Sequence, residues 1–208
     1  MDNYTDINAR TIDKWTDNGW EWGVPISHEE FENARNGKWD VVLTPIRVVP
    51  HDWFSPFIRN ERLDSVKLLG LASGGGQQMP IFAALGADCT VLDYSERQLD
   101  REREVAEREG YAINIVRADM TKRLPFENDN FNVIFHPVSN CYVEDVYHRP
   151  SLIGWIHTSF KTSRKASMFP EIEWWYVTSS ITFPQIDHPM LSQIVPLKNT
   201  LILRCQML

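Results

Sequence analysis

From Val66 onward, short apolar runs alternate with stretches of helical spacing. Leu68, Leu69 and Leu71 lie in a run that reads as a strand over 66–72, and Ile81, Ala84 and Leu85 repeat at helical spacing within 77–85. Thr90, Val91 and Leu92 mark a second strand over 89–93. A charged helix over 95–109 then opens on Ser95, with Gln98 three residues on, in the manner of a capping box. Strands over 112–117 and 131–136 complete the series, and Gly86 and Gly110 stand where C-cap glycines end helices. Strands alternating with helices call for parallel pairing and right-handed crossovers. The charge on 95–109, including Glu104 and Arg108 four residues apart, reads as a solvated face.

The junctions carry the candidate chemistry. Gly74, Gly75 and Gly76 follow the first of these strands at once, so the chain can turn where a side chain would block a ligand. Asp93 ends the second strand, roughly 20 residues beyond the turn, where an acid can accept hydrogen bonds from ribose hydroxyls. In an open parallel sheet both features face one crevice. Asp119 and Met120 follow the third strand, an acceptor for an exocyclic amine beside a side chain that lies flat against a base. As a turn or N-cap residue Asp119 would instead be structural, just as a glycine turn can join a strand to a helix without touching a ligand. The fourth strand ends in His136-Pro137-Val138-Ser139-Asn140, aimed at the same crevice. His136 is the candidate general base, since imidazole titrates near neutrality, with a packed histidine as the alternative.

Residues 1–60 hold five of the eight tryptophans, Trp15, Trp20, Trp22, Trp39 and Trp53, with only short helical windows such as Ser27–Asn36, which opens on the capping pair Ser27 and Glu30. This segment is read as packing against the main domain or as a lid whose aromatics wall a substrate pocket. The formal charge of -7 disfavours a general nucleic-acid binder, because phosphate neutralisation needs a basic face. Cys89, Cys141 and Cys205 show no metal or disulfide spacing. With no basic-then-apolar start and no run of 18 apolar residues, a cytoplasmic protein without a membrane span is expected.

Together these residues resemble the class I S-adenosylmethionine-dependent methyltransferases, in particular members with a type 11 core, over roughly Val66 to Asp145. The expected fold is therefore α/β, a Rossmann-like three-layer sandwich with a mostly parallel sheet. It is divided into a Trp-rich extension (1–60), a donor-binding core (61–146) and an atypical segment (147–208). The family's first loop reads acid-x-Gly-x-Gly-x-Gly; the matching positions here are Gly70, Ala72, Gly74 and Gly76, so the acid and the first glycine are absent. The resemblance implies S-adenosylmethionine as cofactor and a small-molecule acceptor. It implies Asp93 as the ribose acid with Tyr94 beside it, and Asp119-Met120 as the adenine pair. Ser73 or a backbone carbonyl takes the missing acid's place at the methionine amine, in a loop that includes Gly75, Gly76 and Gln77. His136, Pro137 and Val138 border donor and acceptor. The stretch Leu124-Pro125-Phe126 to Phe131-Asn132 also looks like this family. A sulfonium already activates its methyl group, so few catalytic residues are required.

After about Val146 the pattern departs. Ser151 to Leu208 carries five Lys or Arg against three Asp or Glu, a single glycine, Gly154, and no further glycine turn. Codons allowed for His157 to Arg164, read one base later, spell Ile-Arg-Val-Leu-Lys-Pro-Gln, close to the turn the family would have. A change of reading frame between Val146 and Pro150 is the expectation, leaving the sheet's last strands incomplete or irregular. Two other readings fit the glycine turn and Asp93: a nicotinamide dinucleotide oxidoreductase, and a non-catalytic ligand-binding remnant. Gln77-Gln78 and Asp119-Met120 suit an adenosine with a short amino-acid tail better than a dinucleotide.

Overall fold

The computed structural model describes residues 3–44, 47–136, 139, 142 and 143. Helix α1 spans Tyr4–Asp17 and α2 spans His28–Arg35. Strands β1 (Val42–Thr44) and β2 (Arg47–Val48) pair antiparallel. The alternating core follows as β3 (Lys67–Leu71), α3 (Gln78–Ala84), β4 (Asp88–Asp93), α4 (Glu96–Glu109), β5 (Asn114–Arg117) and β6 (Val133–Phe135). Each of these six elements lies where the apolar pattern predicts it, with ends displaced by no more than two residues. Strands β3 to β6 form one sheet in the order β5-β4-β3-β6, every pairing parallel. Winding reverses between β3 and β6, so the carboxyl ends of all four strands open on one edge, where ligand crevices form in such sheets.

Alternation along each strand sorts side chains to the two faces. Leu68, Val91 and Phe135 join the larger core with Phe82, Leu85 and Leu99, whereas Leu69, Leu71 and Leu92 meet Leu124 and Phe131 on the other face. Gly70 lies between Val91 and Phe135 in the ladder. A Cβ there would come within 2.2 Å of Met79 Sδ, so a glycine in mid-strand is what lets α3 seat fully buried Met79 on the sheet.

Two expectations are corrected. The N-terminal region is not limited to short helical windows: α1 runs for 14 residues and buries Thr5, Ala9, Trp15 and Thr16. The charge of α4 is not all solvated either, since Glu102 is fully buried. Glu104 pairs with Arg101 at 2.8 Å and Arg108 with Glu109, rather than with each other. The helix at Ser27 does form, with both halves of its capping box in place. Trp15 and Trp39 are buried, Trp20 and Trp22 half-buried, and Trp53 is exposed. No helix among the described residues is long and apolar enough to cross a membrane. Pro137, Val138 and the segment 147–208 lie outside the described residues.

Candidate functional site

At the carboxyl edge of the sheet lies a cavity of about 180 Å³. The turn after β3 supplies one wall (Ala72, Ser73, Gly74), the end of β4 a second (Asp93, Tyr94, Ser95), and the turn after β5 a third (Ala118 to Thr121). Helix α1 and the 3-10 turn Glu21–Gly23 close the remaining side with Thr5, Ala9, Ile12, Trp20 and Trp22, and Ser139, Tyr142 and Val143 border it near β6.

Backbone hydrogen bonds and side-chain clamps hold the turn after β3. Ala72 has φ of 49°, a left-handed conformation that disfavours a Cβ. Its N–H donates to Leu92 O at 2.7 Å, and its carbonyl accepts from Ser139 Oγ at 2.7 Å. Buried Ser73 donates to Gln78 Oε1 at 2.5 Å, and Gln78 Nε2 donates in turn to Val42 O at 2.7 Å. That use of its proton leaves the Ser73 oxygen as an acceptor. Gly74 N donates to Asp93 Oδ2 at 3.1 Å, and Gly76 N to Glu102 Oε1 at 2.7 Å. Gln77 spends both amide protons on Glu21 O (2.6 Å) and Val24 O (2.8 Å), which fastens the Trp-bearing turn to the glycine turn.

Asp93 is fixed from two sides, because its other oxygen, Oδ1, accepts from Ser95 N at 2.9 Å. Each oxygen keeps acceptor capacity for a further donor. Burial pushes its carboxyl above the usual carboxylate range, against the pull of the Ser95, Gly74 and Tyr94 amides and with a further push from Asp13. Tyr94 donates to Asp6 Oδ1 at 2.6 Å, a bond that raises the phenol's pKa, while the Arg117 guanidinium stands 5.5 Å from its ring centre. Asp119 does close a turn: Oδ1 accepts from both Thr121 N (2.8 Å) and Thr121 Oγ1 (2.7 Å), and Oδ2 accepts from Thr5 Oγ1 at 3.0 Å. It lines the cavity all the same, beside half-buried Met120.

Of the residues singled out in the sequence, the structure brings Ala72, Ser73, Gly74, Gln77, Asp93, Tyr94, Asp119 and Met120 together around the cavity. Gly70, Gly75, Gly76 and His136 are not among its lining residues. Gly70 makes room for Met79, and a Cβ on Gly75 would meet Trp22 O at 2.3 Å. Gly76 is held by Glu102, and half-buried His136 directly follows β6. Sequence reasoning missed the α1 wall. Its signal was the series Thr5, Ala9, Ile12, Thr16, a helical stripe in which threonines stand where apolar residues are usually sought.

A sheet that winds out in both directions from β3, with a glycine turn on that strand and an acid on its neighbour, is built to hold a nucleoside. Residues 69–149 match the family model of a methyltransferase domain, so the core of this chain is similar to the methyltransferases. The chain is 45% identical over 139 residues to the uncharacterized methyltransferase YbaJ of Bacillus subtilis (strain 168), a match that takes in 67% of this chain and 52% of YbaJ. It thus spans about half the length of that curated relative. Among solved structures, it resembles an S-adenosylmethionine-dependent methyltransferase from Mesorhizobium loti, with 25% identity and a TM-score of 0.42, covering 52% of this chain and 47% of that one.

The residues fit the donor implied by that class. Asp93 presents acceptors suited to a ribose, Leu92, Ala118 and Met120 supply apolar surface for a base, and Ser73 offers an acceptor to an ammonium. Among the described lining residues no Lys, Arg or His is present.

Proposed function

We propose that this chain binds S-adenosylmethionine in the cavity at the carboxyl ends of β3, β4 and β5 and passes its methyl group to a small-molecule acceptor. The observation that carries the reading is Asp93, held by Gly74 N and Ser95 N with acceptor capacity left on each oxygen. When bound, the cofactor supplies a methyl group already activated by its sulfonium. The chain's own work is then alignment and exclusion of water. Asp93 orients the ribose, Met120 and Ala118 flank the base, and the oxygen of Ser73 accepts from the methionine ammonium in place of the family's acid. Helix α1 and the Trp-bearing turn act as the lid over the cavity. The formal charge of -7 and the absence of cations among the described lining residues favour a small acceptor over a nucleic acid.

Melting curves with S-adenosylmethionine, S-adenosylhomocysteine and NAD test this, because a ligand that binds only the folded state raises Tm. The first two are expected to raise it and NAD is not. Asp93→Asn replaces a charged acceptor with a neutral one, so both affinities fall by about 10- to 100-fold. A folded protein stabilised by NAD alone, or by none of the three, overturns the reading.

A further inference from the structure

The Trp20–Trp22 segment is fastened to the cofactor cavity by several independent devices. Gln77 clamps the carbonyls of Glu21 and Val24, and Ile26 N donates to Gly76 O at 2.9 Å. Gly75 has no Cβ to keep Trp22 O away from the glycine turn. Gly23 has none to collide with Thr16 of α1, whose Cγ2 would lie 2.6 Å from it. Trp20 in turn packs edge-on against buried Trp15, with ring centres 5.3 Å apart and planes at 62°. Trp20 and Trp22, both half-buried, line the same cavity as Ser73 and Gly74, where the proposed donor's methionine part would lie, and the main chain at Trp22 abuts the glycine turn at Gly75.

The side chains that line the cavity also settle its electrostatic character. The titratable groups among the described lining residues are Asp93, Tyr94, Asp119 and Tyr142, so acids and phenols face the cavity and no cation opposes a positive ligand. Indole faces attract cations, and quaternary ammonium ligands are recognised in this way.

Resting on the donor site proposed above, we infer that Trp20 and Trp22 recognise the positively charged sulfonium, so that this cavity prefers the charged donor to its neutral demethylated product. The role is one of positioning and ligand discrimination, and it also favours product release, since the attraction disappears once the methyl group has left.

Calorimetric titration of the whole chain and of Trp20→Leu, Trp22→Leu and Trp22→Phe with S-adenosylmethionine and S-adenosylhomocysteine tests the inference without any turnover assay. Each Leu variant is expected to lose about 3- to 30-fold in affinity for the charged ligand. Affinity for the neutral one should change by less than about twofold, with Phe at position 22 restoring most of the loss. Equal losses for both ligands, or no loss for either, overturn the inference and leave the donor site standing. Failure of the unaltered protein to bind either ligand removes the donor site itself. Trp22→Leu decides the matter where Trp20→Leu lowers Tm by removing the ring that packs on Trp15.

Discussion

At the scale of single residues, the two departures from the family's loop pattern have different physical origins. Gly70 stands where the family has an acid, and Met79 Sδ already fills the space a side chain would take. In the proposed donor site Ser73 stands in for that acid, because its proton goes to Gln78 while its oxygen still accepts. Ala72 stands where the family has a glycine, and its φ of 49° shows the backbone keeping the glycine conformation despite the methyl group. That strain costs about 1–2 kcal/mol, and glycine's greater freedom in the unfolded chain offsets part of it. Ala72→Gly is therefore expected to stabilise the fold by about 0.5–1 kcal/mol, read as a higher midpoint in urea unfolding, with donor affinity undiminished.

At the scale of elements, α1 shows how a helix arises without a strong apolar stripe. Its polar side chains find partners on the site's own loops. Asp13 Oδ1 accepts from Ser95 Oγ (2.6 Å) and Arg97 N (3.0 Å), Thr16 Oγ1 from Gln98 Nε2 (2.7 Å), and Asp119 Oδ2 from Thr5 Oγ1. Asp13 thus places a negative charge at the N-terminus of α4, where the exposed N–H groups and the helix dipole favour one. Asp13→Ala should lower stability by about 1–2 kcal/mol in urea unfolding, by loosening α1 and uncapping α4 together. None of these partners is close to α1 in sequence, and so its helix was not legible there. The helix opening at Ser27 was legible, because its capping box is wholly local.

At the scale of the whole molecule, Glu102 ties the core to the site and makes stability depend on pH. It is fully buried under the glycine turn; Oε1 accepts from Gly76 N, and Oε2 has no hydrogen-bond partner among the described residues. Burial pushes its pKa up to about 8, with the Gly76 amide pulling down and the charge of Asp93 pushing up. The unfolded chain loses this proton near the ordinary value of 4.5, so between that pH and about 8 the folded state binds the extra proton. Stability therefore falls as pH rises through this window and levels off above it. Glu102→Gln keeps the acceptor for Gly76 and removes the ionisation. It should abolish this part of the slope and add stability on the order of a few kcal/mol at pH 8, seen in melting curves from pH 5 to 9.

The sequence by itself determined the alternation of strands and helices, the glycine turn, and the acid at the end of β4, because apolar period, caps and turn chemistry are local properties of the chain. It also carried the resemblance that the family match identifies. Only the tertiary structure decided which of those residues meet. It set Gly70 and Gly76 to packing and bracing, tied the Gln77 amide into a clamp, and made Asp119 both a turn residue and a wall. It also brought α1 and the Trp20–Trp22 turn, both far from the glycine turn in sequence, into the wall of the cavity. Such contacts join residues scores of positions apart, and their partners exist as neighbours only once the sheet has formed.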